Sequence, residues 1–215
     1  MIQIIPAILD KTPEEFKIHI NQLKHSLGFQ EGWVHIDFAD NEFVHNLTLG
    51  IEEVAKVETN LKKEAHLMVS HPLSWIESLK DGGFERVIFH FESKDDTAEV
   101  IEAIRGAGME VGIGINPETS TDVLEPYKNK IDQILIMGIV PGFQGQPFIP
   151  ATINKIKGLR LKNWGVKIST DGAVSDINAK DLVEAGIDQL VIGSFLLNGN
   201  MDEKVEKIWE ALTKK

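Results

Sequence analysis

The sequence contains no cysteine in its 215 residues. This absence excludes a disulfide framework and any zinc site built from thiolates. Long apolar runs are also lacking, since no stretch approaches the roughly 20 apolar residues that a membrane-spanning helix needs. A composition with 42% hydrophobic and 26% charged residues is typical of a soluble globular protein. We therefore predict a protein that does not associate with membranes and that is, by default, cytoplasmic.

Basic residues are in the minority. The chain has 22 Lys and Arg against 33 Asp and Glu, a formal net charge of −11, and no basic run offsets it. Because nucleic-acid phosphates would be repelled, we predict no nucleic-acid partner, and an anionic small-molecule substrate would have to be held by local donors. The N-terminal stretch MIQIIPAIL lacks a basic start and a small-residue cleavage site, so it is predicted to form the first strand and not a secretion signal.

Short apolar runs rich in β-branched residues alternate along the chain with amphipathic helical patterns. Each predicted strand is expected to be followed by a helix. The eight predicted strands are QIIPAI (3–8), WVHIDF from Trp33, EAHLMV from Glu64, RVIFHF from Arg86, EVGIGI from Glu110, QILIMG from Gln133, VKIST from Val166 and QLVIG from Gln189.

The starts of several helices are readable. Thr12 is predicted as an N-cap with Pro13 at the first helical position, and SHPLSWIESL and SDINAKDLVEAG repeat a capping residue before an amphipathic run. Eight strand–helix units without a low-complexity linker favour a single (β/α)8 TIM barrel with parallel strands, formed as one domain by residues 1–215. A doubly wound open sheet is the main alternative, but it normally has fewer strands, and no G-x-G-x-x-G motif follows the first strand.

The second predicted strand carries two polar residues in an apolar run. Side chains alternate along a strand, so His35 and Asp37 share one face. The other face carries Val34, Ile36 and Phe38. If this apolar set faces the helices, the polar pair faces the barrel interior near the C-terminal strand ends, where barrel active sites lie. An isolated buried carboxylate costs several kcal/mol, so it needs a cation, a proton or strong donors.

Two further strand ends supply matching residues, because His66 lies late in the third strand and Asp171 comes directly after the seventh. Two imidazoles and two carboxylates suit Zn, Fe(II), Mn or Co better than calcium or magnesium. Each residue alone is more simply interpreted as a hydrogen-bonded core histidine or a turn-capping aspartate, and His90 in the fourth strand is interpreted as such a core residue. Because the four are expected at the functional end of the barrel, we predict one divalent transition metal ion bound by His35, Asp37, His66 and Asp171.

A series of motifs runs along the chain: HIDFADNEFVHN, AHLMVSHP, GIGINPET, MGIVPGFQGQPFIP, TDGAVSDINA and VIGS. In this order they resemble the motifs of the ribulose-phosphate 3-epimerase family, the first of which is H-x-D-x-M-D-G-x-F-V-P-N. The resemblance runs from Ile4 to about Leu197. It implies a (β/α)8 barrel that interconverts D-ribulose 5-phosphate and D-xylulose 5-phosphate, and it assigns the same four residues as metal ligands.

Epimerisation beside a ketone requires removal of a proton from one face of a carbon and return of a proton to the other face, through an enediolate. A metal ion stabilises the developing negative charge as a Lewis acid. Carboxylates on opposite sides of the sugar can alternate as base and acid. The resemblance assigns these catalytic roles to Asp37 and Asp171.

The substrate phosphate is expected at the loops after strands six to eight, where PGFQGQ, the turn after Asp171 and GSFLLNG offer backbone N–H groups, and GSFLLNG is predicted to open a short extra helix. Any one of these glycines alone is more typical of an ordinary turn. Two methionines resemble residues beside the sugar in the family, although methionine is more often core filler. The predicted substrate-binding residues are Met68, Met137, Gly142, Gln144, Gly145, Gly172, Ala173, Gly193 and Ser194.

Some positions depart from the family pattern close to the expected substrate. Gln144 and Ala173 stand where the family usually has glycine, so either side chain could crowd the phosphate or strain a loop that requires positive φ. Gln144 could instead donate a hydrogen bond. The departures are Ala7, Ala39, Asn41, His45, Val140, Gln144 and Ala173, of which Ala7, Asn41, His45, Val140 and Gln144 are expected to face the sugar.

Three functions remain open at this point. The first is metal-dependent C3 epimerisation of ribulose 5-phosphate, and the second is the same reaction on a hexulose 6-phosphate such as allulose 6-phosphate. The third is a non-catalytic phosphate-binding barrel, which is disfavoured because such a protein needs neither acid–base carboxylate. A barrel of this size commonly exposes helix faces that pair with a second copy, so a homo-oligomer is expected.

Overall fold

The computed structural model describes residues 2–213, which form a closed barrel of eight parallel strands arranged in chain order. The strands are β1 (Gln3–Ile8), β2 (Trp33–Ala39), β3 (Lys62–Met68), β4 (Phe84–His90), β5 (Glu110–Ile115), β6 (Gln133–Met137), β7 (Lys167–Asp171) and β8 (Gln189–Ile192). Pairing of β1 with both β2 and β8 closes the barrel. The closed sheet confirms the predicted (β/α)8 TIM barrel and excludes the doubly wound alternative.

Helices surround the barrel and connect its strands. They are α1 (Pro13–His25), α2 (Ile51–Ala55), α3 (Ile76–Asp81), α4 (Thr97–Gly106), α5 (Ala151–Leu161), α6 (Ala179–Glu184), α7 (Ser194–Leu197) and α8 (Met201–Thr213). Short 3₁₀ helices span Leu27–Phe29, Pro72–Trp75 and Thr121–Tyr127. Within residues 2–213, no helix has the length and apolar character required to cross a membrane.

The prediction that strands and α-helices alternate regularly is wrong at one position. Between β5 and β6 the chain forms the 3₁₀ helix Thr121–Tyr127 where an α-helix was expected. Pro126 lies inside this segment and lacks the N–H group that a regular α-helix requires. The predicted extra helix after β8 is confirmed as α7.

Helix capping is confirmed for the first helix and wrong for the segment that begins at Pro72. Thr12 Oγ1 accepts a hydrogen bond from Glu15 N at 3.3 Å, with Pro13 at the first helical position. The segment after His71 has no local side-chain cap, and a distant carboxylate, Asp95 Oδ2, accepts from Leu73 N at 2.9 Å. Before α6, the serine that opens SDINAKDLVEAG, Ser175, accepts hydrogen bonds from Ile177 N at 3.3 Å through its Oγ and from Ala179 N at 3.0 Å through its carbonyl oxygen. The side chain of Asn178, next to the helix, makes no capping hydrogen bond.

The side chains of β2 alternate between two layers, as predicted. Val34, Ile36 and Phe38 are buried in the large apolar core between strands and helices. His35 and Asp37 point to the other side, into the barrel interior. A second, smaller apolar cluster fills that interior: Ile5, Ala7, Ile88, Leu135, Met137, Ile139 and Val191. The barrel therefore presents the buried imidazole and carboxylate of β2 at its C-terminal end.

Candidate active site

The four predicted metal ligands meet at the C-terminal ends of β2, β3 and β7. Each offers one nitrogen or oxygen atom, and these atoms all lie within 4.8 Å of one another. Parallel pairing places Asp37 directly beside His66 on the neighbouring strand. Asp171 is the last residue of β7, so this strand ends one residue later than predicted. The cluster consists of His35, Asp37, His66 and Asp171.

The donor atoms in this cluster fit a transition metal ion. His66 Nδ1 lies 2.7 Å from Asp37 Oδ1, and His35 Nε2 lies 3.3 Å from the same oxygen. His35 Nε2 is buried and forms no hydrogen bond within residues 2–213. A buried polar atom without a partner costs about 1–3 kcal/mol, and an imidazole nitrogen is a good ligand for Zn, Fe(II), Mn or Co. A metal ion among these four side chains would supply the missing partner.

The two carboxylates of the cluster have opposite pKa shifts in the metal-free protein. Burial alone would raise the pKa of Asp37, but the nearby imidazole of His35 and a hydrogen bond with His66 outweigh burial and lower this pKa far below its ordinary value. Burial and the nearby charge of Asp37 raise the pKa of Asp171 to about 6. Two carboxylates with environments this different are suited to different proton-transfer roles.

His35 is held from its other side by a residue that the sequence analysis did not single out. Its Nδ1 lies 2.7 Å from Glu64 Oε1, and both side chains are fully buried. Burial alone would lower the pKa of His35, but the nearby carboxylates of Asp37 and Glu64 outweigh burial and raise it to about 10. Glu64 also accepts a 2.6 Å hydrogen bond from Arg86, which is buried as well. Glu64 lies two residues before His66 in β3, so strand alternation was the signal that could have identified it.

His90 is a buried, hydrogen-bonded residue of the barrel core, as predicted, and it also contacts the cluster. Its Nε2 lies 2.9 Å from Nε2 of His66, and the two rings stack with centroids 5.1 Å apart. Its Nδ1 lies 3.3 Å from Glu92 Oε2. Glu92 in turn accepts a hydrogen bond from the backbone N–H of Asn116. His90, which is itself held by Glu92, thereby orients the ring of His66.

A cavity opens above the cluster, and both carboxylates line it. Its wall includes side chains from β3 and β6 and the loops that follow β6, β7 and β8. All nine predicted substrate-binding residues lie in this wall: Met68, Met137, Gly142, Gln144, Gly145, Gly172, Ala173, Gly193 and Ser194. The structure thus brings the predicted metal-binding and substrate-binding residues to one place.

The turn after β7 has a backbone that favours glycine. Gly172 has a φ of 102°, and a Cβ atom there would lie 2.4 Å from Ile139 Cγ1. The next residue, Ala173, has a φ of 54°, so the alanine does lie in the positive-φ region considered for this position. A non-glycine residue is uncommon in this conformation. Ala173 therefore occupies a backbone conformation that glycine would adopt with less strain.

Only two of the seven departures from the family pattern, Gln144 and Ala173, belong to the described cavity wall. Gln144 extends from the β6 loop across to the β8 loop, where its Nε2 would lie 3.0 Å from a Cβ atom placed on Gly193. Ala7 is buried in the barrel interior, and Val140 is 56% exposed. Ala7, Asn41, His45 and Val140 lie outside this wall, so the expectation that they face the sugar stays a prediction.

The β6 loop is also tied to the loop after β2. Asn46 is buried, and its Nδ2 donates a 2.7 Å hydrogen bond to the carbonyl oxygen of Gly142. A Cβ atom on Gly142 would lie 3.0 Å from Val44 Cβ. This close packing joins the two loops at one side of the cavity mouth.

Comparison with known proteins agrees with this arrangement. The chain matches the ribulose-phosphate 3 epimerase family over residues 3–197. It is 37% identical over 183 residues to the ribulose-phosphate 3-epimerase of Chlamydia muridarum, with 80% of each chain covered. It is 32% identical over 184 residues to the ribulose-phosphate 3-epimerase of Schizosaccharomyces pombe, which covers 83% of this chain and 81% of that relative.

Solved structures with much lower sequence identity share the fold. The 3-hexulose-6-phosphate synthase of Salmonella typhimurium superimposes with a TM-score of 0.69 at 14% identity, with 98% of each chain covered. This likeness concerns the fold alone. The family match, in contrast, spans nearly the whole sequence. The chain belongs to the ribulose-phosphate 3-epimerase family.

Proposed function

We propose that this protein is a metal-dependent epimerase that inverts C3 of a ketose phosphate and interconverts D-ribulose 5-phosphate and D-xylulose 5-phosphate. The observation that supports this function best is the convergence of the four predicted ligands within 4.8 Å, at the end of the barrel where the cavity opens. Two carboxylates beside two imidazoles provide both a metal site and the acid–base groups that epimerisation needs.

The proposed cofactor is one divalent transition metal ion, Zn, Fe(II), Mn or Co. Once bound, such an ion acts as a Lewis acid and stabilises the negative charge that develops on the substrate oxygens. The unpartnered Nε2 of His35 supports this assignment from the protein side. The residues proposed to hold the ion are His35, Asp37, His66 and Asp171.

Asp37 and Asp171 are proposed to move the protons. Both line the cavity, and their strands, β2 and β7, are separated in the barrel by β1 and β8. The carboxylate on one side of the sugar removes the C3 proton, and the protonated carboxyl on the other side donates a proton to the opposite face. In the metal-free protein the pKa of Asp171 is about 6, close to the range in which one group can both accept and donate a proton.

The substrate phosphate is proposed to bind against the loops after β6, β7 and β8. Glycine-rich loops allow backbone N–H groups to approach an anion closely, so a chain with a net charge of −11 needs no lysine cluster at this position. Met68 and Met137 are proposed to contact the sugar. The residues proposed for the phosphate end are Gly142, Gln144, Gly145, Gly172, Ala173, Gly193 and Ser194.

This function is tested by comparing kcat/KM for ribulose 5-phosphate, allulose 6-phosphate and unphosphorylated ribulose at saturating metal. We expect the highest value for ribulose 5-phosphate, loss of activity after chelation, and a much lower value for the free sugar, which lacks the contacts that position C3. A clear preference for allulose 6-phosphate would make the protein a hexulose 6-phosphate 3-epimerase. No turnover of any of the three sugars with metal bound would contradict an enzymatic function.

A further inference from the structure

The floor of the barrel beneath the cluster contains a buried ion pair on β3 and β4. Glu64 and Arg86 are both fully buried, and Nη1 of Arg86 lies 2.6 Å from Oε2 of Glu64. The second carboxylate oxygen, Oε1, lies 2.7 Å from His35 Nδ1. Each oxygen of Glu64 therefore has a donor of its own, a guanidinium on one side and an imidazole on the other.

The guanidinium of Arg86 is itself fixed in place. Its Nε and Nη2 atoms donate hydrogen bonds to Glu110 Oε2 at 2.8 and 2.5 Å. Its planar group also lies over the ring of Trp33, 3.9 Å from the ring centroid. A guanidinium cannot lose its proton in proteins and acts only as a donor. Arg86 therefore determines which way the carboxylate of Glu64 is turned.

The orientation of Glu64 decides which nitrogen of His35 carries the proton and which one is left as an acceptor. A carboxylate next to Nδ1 accepts a hydrogen bond from this nitrogen and so keeps a proton on it. In a neutral imidazole the other nitrogen, Nε2, then has a free lone pair, and Nε2 is the atom that points at Asp37 without a hydrogen-bond partner. Metal-binding histidines commonly have their second nitrogen held by a carboxylate in this way.

We propose that Glu64, turned by Arg86, is a positioning residue that holds His35 in the tautomer whose Nε2 binds the metal ion. This inference rests on the metal site of the proposed function and adds two residues to it that bind neither metal nor substrate. The two carboxylate oxygens bind different partners. Oε2 accepts a hydrogen bond from Arg86, and this leaves Oε1 turned toward Nδ1 of His35.

The Glu64→Gln variant tests this arrangement because it keeps the size of the side chain but provides one acceptor oxygen for two donors. Hydrogen bonds that involve a charged group are about twice as strong as neutral ones, so the amide oxygen turns to Arg86. The amide NH2 then faces His35 Nδ1 and favours the tautomer with a proton on Nε2. We expect the metal Kd to weaken about 10- to 100-fold.

The double variant Glu64→Gln/Arg86→Met removes the competing donor and the buried positive charge together. The amide oxygen is then free to accept from His35 Nδ1, and we expect most of the lost metal affinity to return. Replacement of a complete buried ion pair by neutral groups is often tolerated by the fold. Restored affinity in the double variant would not follow from a merely structural role of Glu64.

The measurement is the Kd of Zn for purified protein, obtained by competition with a chromophoric chelator, with unfolding midpoints of the metal-free proteins measured in parallel. Gln3→Ala is the matched control, because Gln3 Oε1 accepts from buried Gln189 Nε2 at 2.8 Å on strands that carry no proposed ligand. This variant loses a hydrogen bond within the barrel and should retain the wild-type Kd.

Weaker binding in Glu64→Gln together with recovery in the double variant supports the inference. Wild-type affinity in Glu64→Gln, or a double variant as weak as the single one, overturns it while leaving the proposed metal site intact. Absence of zinc binding by the wild-type protein overturns the proposed metal site, and this inference with it.

Discussion

The ligand atoms of Asp37 and Asp171 lie within 4.8 Å of each other, although their strands are not neighbours in the barrel. Asp37 is hydrogen-bonded to the imidazole of His66. Asp171 is instead affected by burial and by the charge of Asp37, which raise its pKa to about 6. The same chemical group is thus present in two electrostatic environments within one cavity. This asymmetry is what a reaction with one proton donor and one proton acceptor requires.

Replacing either carboxylate by an amide should abolish most turnover. In Asp37→Asn and Asp171→Asn the side-chain volume is retained, but proton transfer, which is worth roughly 10²- to 10⁴-fold, is lost. We expect kcat to fall by at least about 100-fold in each variant at saturating metal. In D2O, each variant should exchange deuterium into at most one of the two epimers. Wild-type kcat in either variant would contradict the two-base scheme.

Strand alternation made much of this site predictable from sequence. His35 and Asp37 share one face of an otherwise apolar strand, and a buried carboxylate requires a compensating partner. Barrel topology then places the ends of β3 and β7 at the same rim, which brings in His66 and Asp171. Local pattern and fold class were together sufficient for these four residues.

Strand alternation places Glu64 on the interior face of β3, but the partners of the supporting residues were not predictable in the same way, because these contacts depend on strand register. Glu64 reaches His35 only through the pairing of β2 with β3, which sets these two residues side by side. Arg86 reaches Glu64 across β3 and β4, whose register shifts between Lys63 and Glu64. A sequence read strand by strand contains no information about such a shift. The stacking of His90 on His66 depends on the same pair of strands.

Removal of the two imidazoles should remove the metal ion. We expect about one metal ion per chain in protein purified without chelator, and a large loss in His35→Ala/His66→Ala, because carboxylates alone hold zinc-like metals weakly. Elemental analysis of the purified proteins measures this directly. His25→Ala is a suitable control, since His25 is exposed on α1 and its Nδ1 lies 2.7 Å from the carbonyl oxygen of Asn21, away from the proposed ligands. Undiminished metal content in the double variant would refute the site.

Metal affinity should increase with pH. The pKa of His35 is raised to about 10 in the metal-free protein, so at neutral pH a proton must leave before the ring can bind a metal ion. We expect the Kd to tighten about tenfold for each pH unit between 7 and 8, with a steeper dependence below about 6, where Asp171 is also protonated. Chelator competition across pH 5.5–8.5 would measure this, and a flat profile would contradict it.

The raised pKa of His35 also affects the stability of the metal-free protein. A histidine whose folded-state pKa is raised contributes stability that is fully present below its ordinary pKa of 6.5 and is lost as the pH rises through about 10. The metal-free protein should therefore unfold at lower denaturant concentration at pH 10 than at pH 7. Saturating metal should reverse the trend between these two values, because the ion replaces the proton on His35.

Gln144 should act as a phosphate-binding residue. Its Nε2 reaches the β8 loop near Gly193 within the cavity wall, so its amide is placed to donate a hydrogen bond to an anion between the loops. A hydrogen bond to a charged group is worth about 1.5–3 kcal/mol. Gln144→Gly should therefore raise KM for ribulose 5-phosphate by about tenfold or more, with little change for unphosphorylated ribulose.

The Gln144→Glu variant separates hydrogen bonding from steric crowding. Glutamate has nearly the same size as glutamine, but its negative charge repels the substrate phosphate, so KM should rise further than in Gln144→Gly while inhibition by inorganic phosphate weakens in parallel. If the side chain crowds the phosphate instead, the glycine variant would bind the sugar phosphate more tightly than the wild type does. Steady-state kinetics of the two variants on phosphorylated and free ribulose, with phosphate as competitor, therefore distinguish a donor at position 144 from an obstruction.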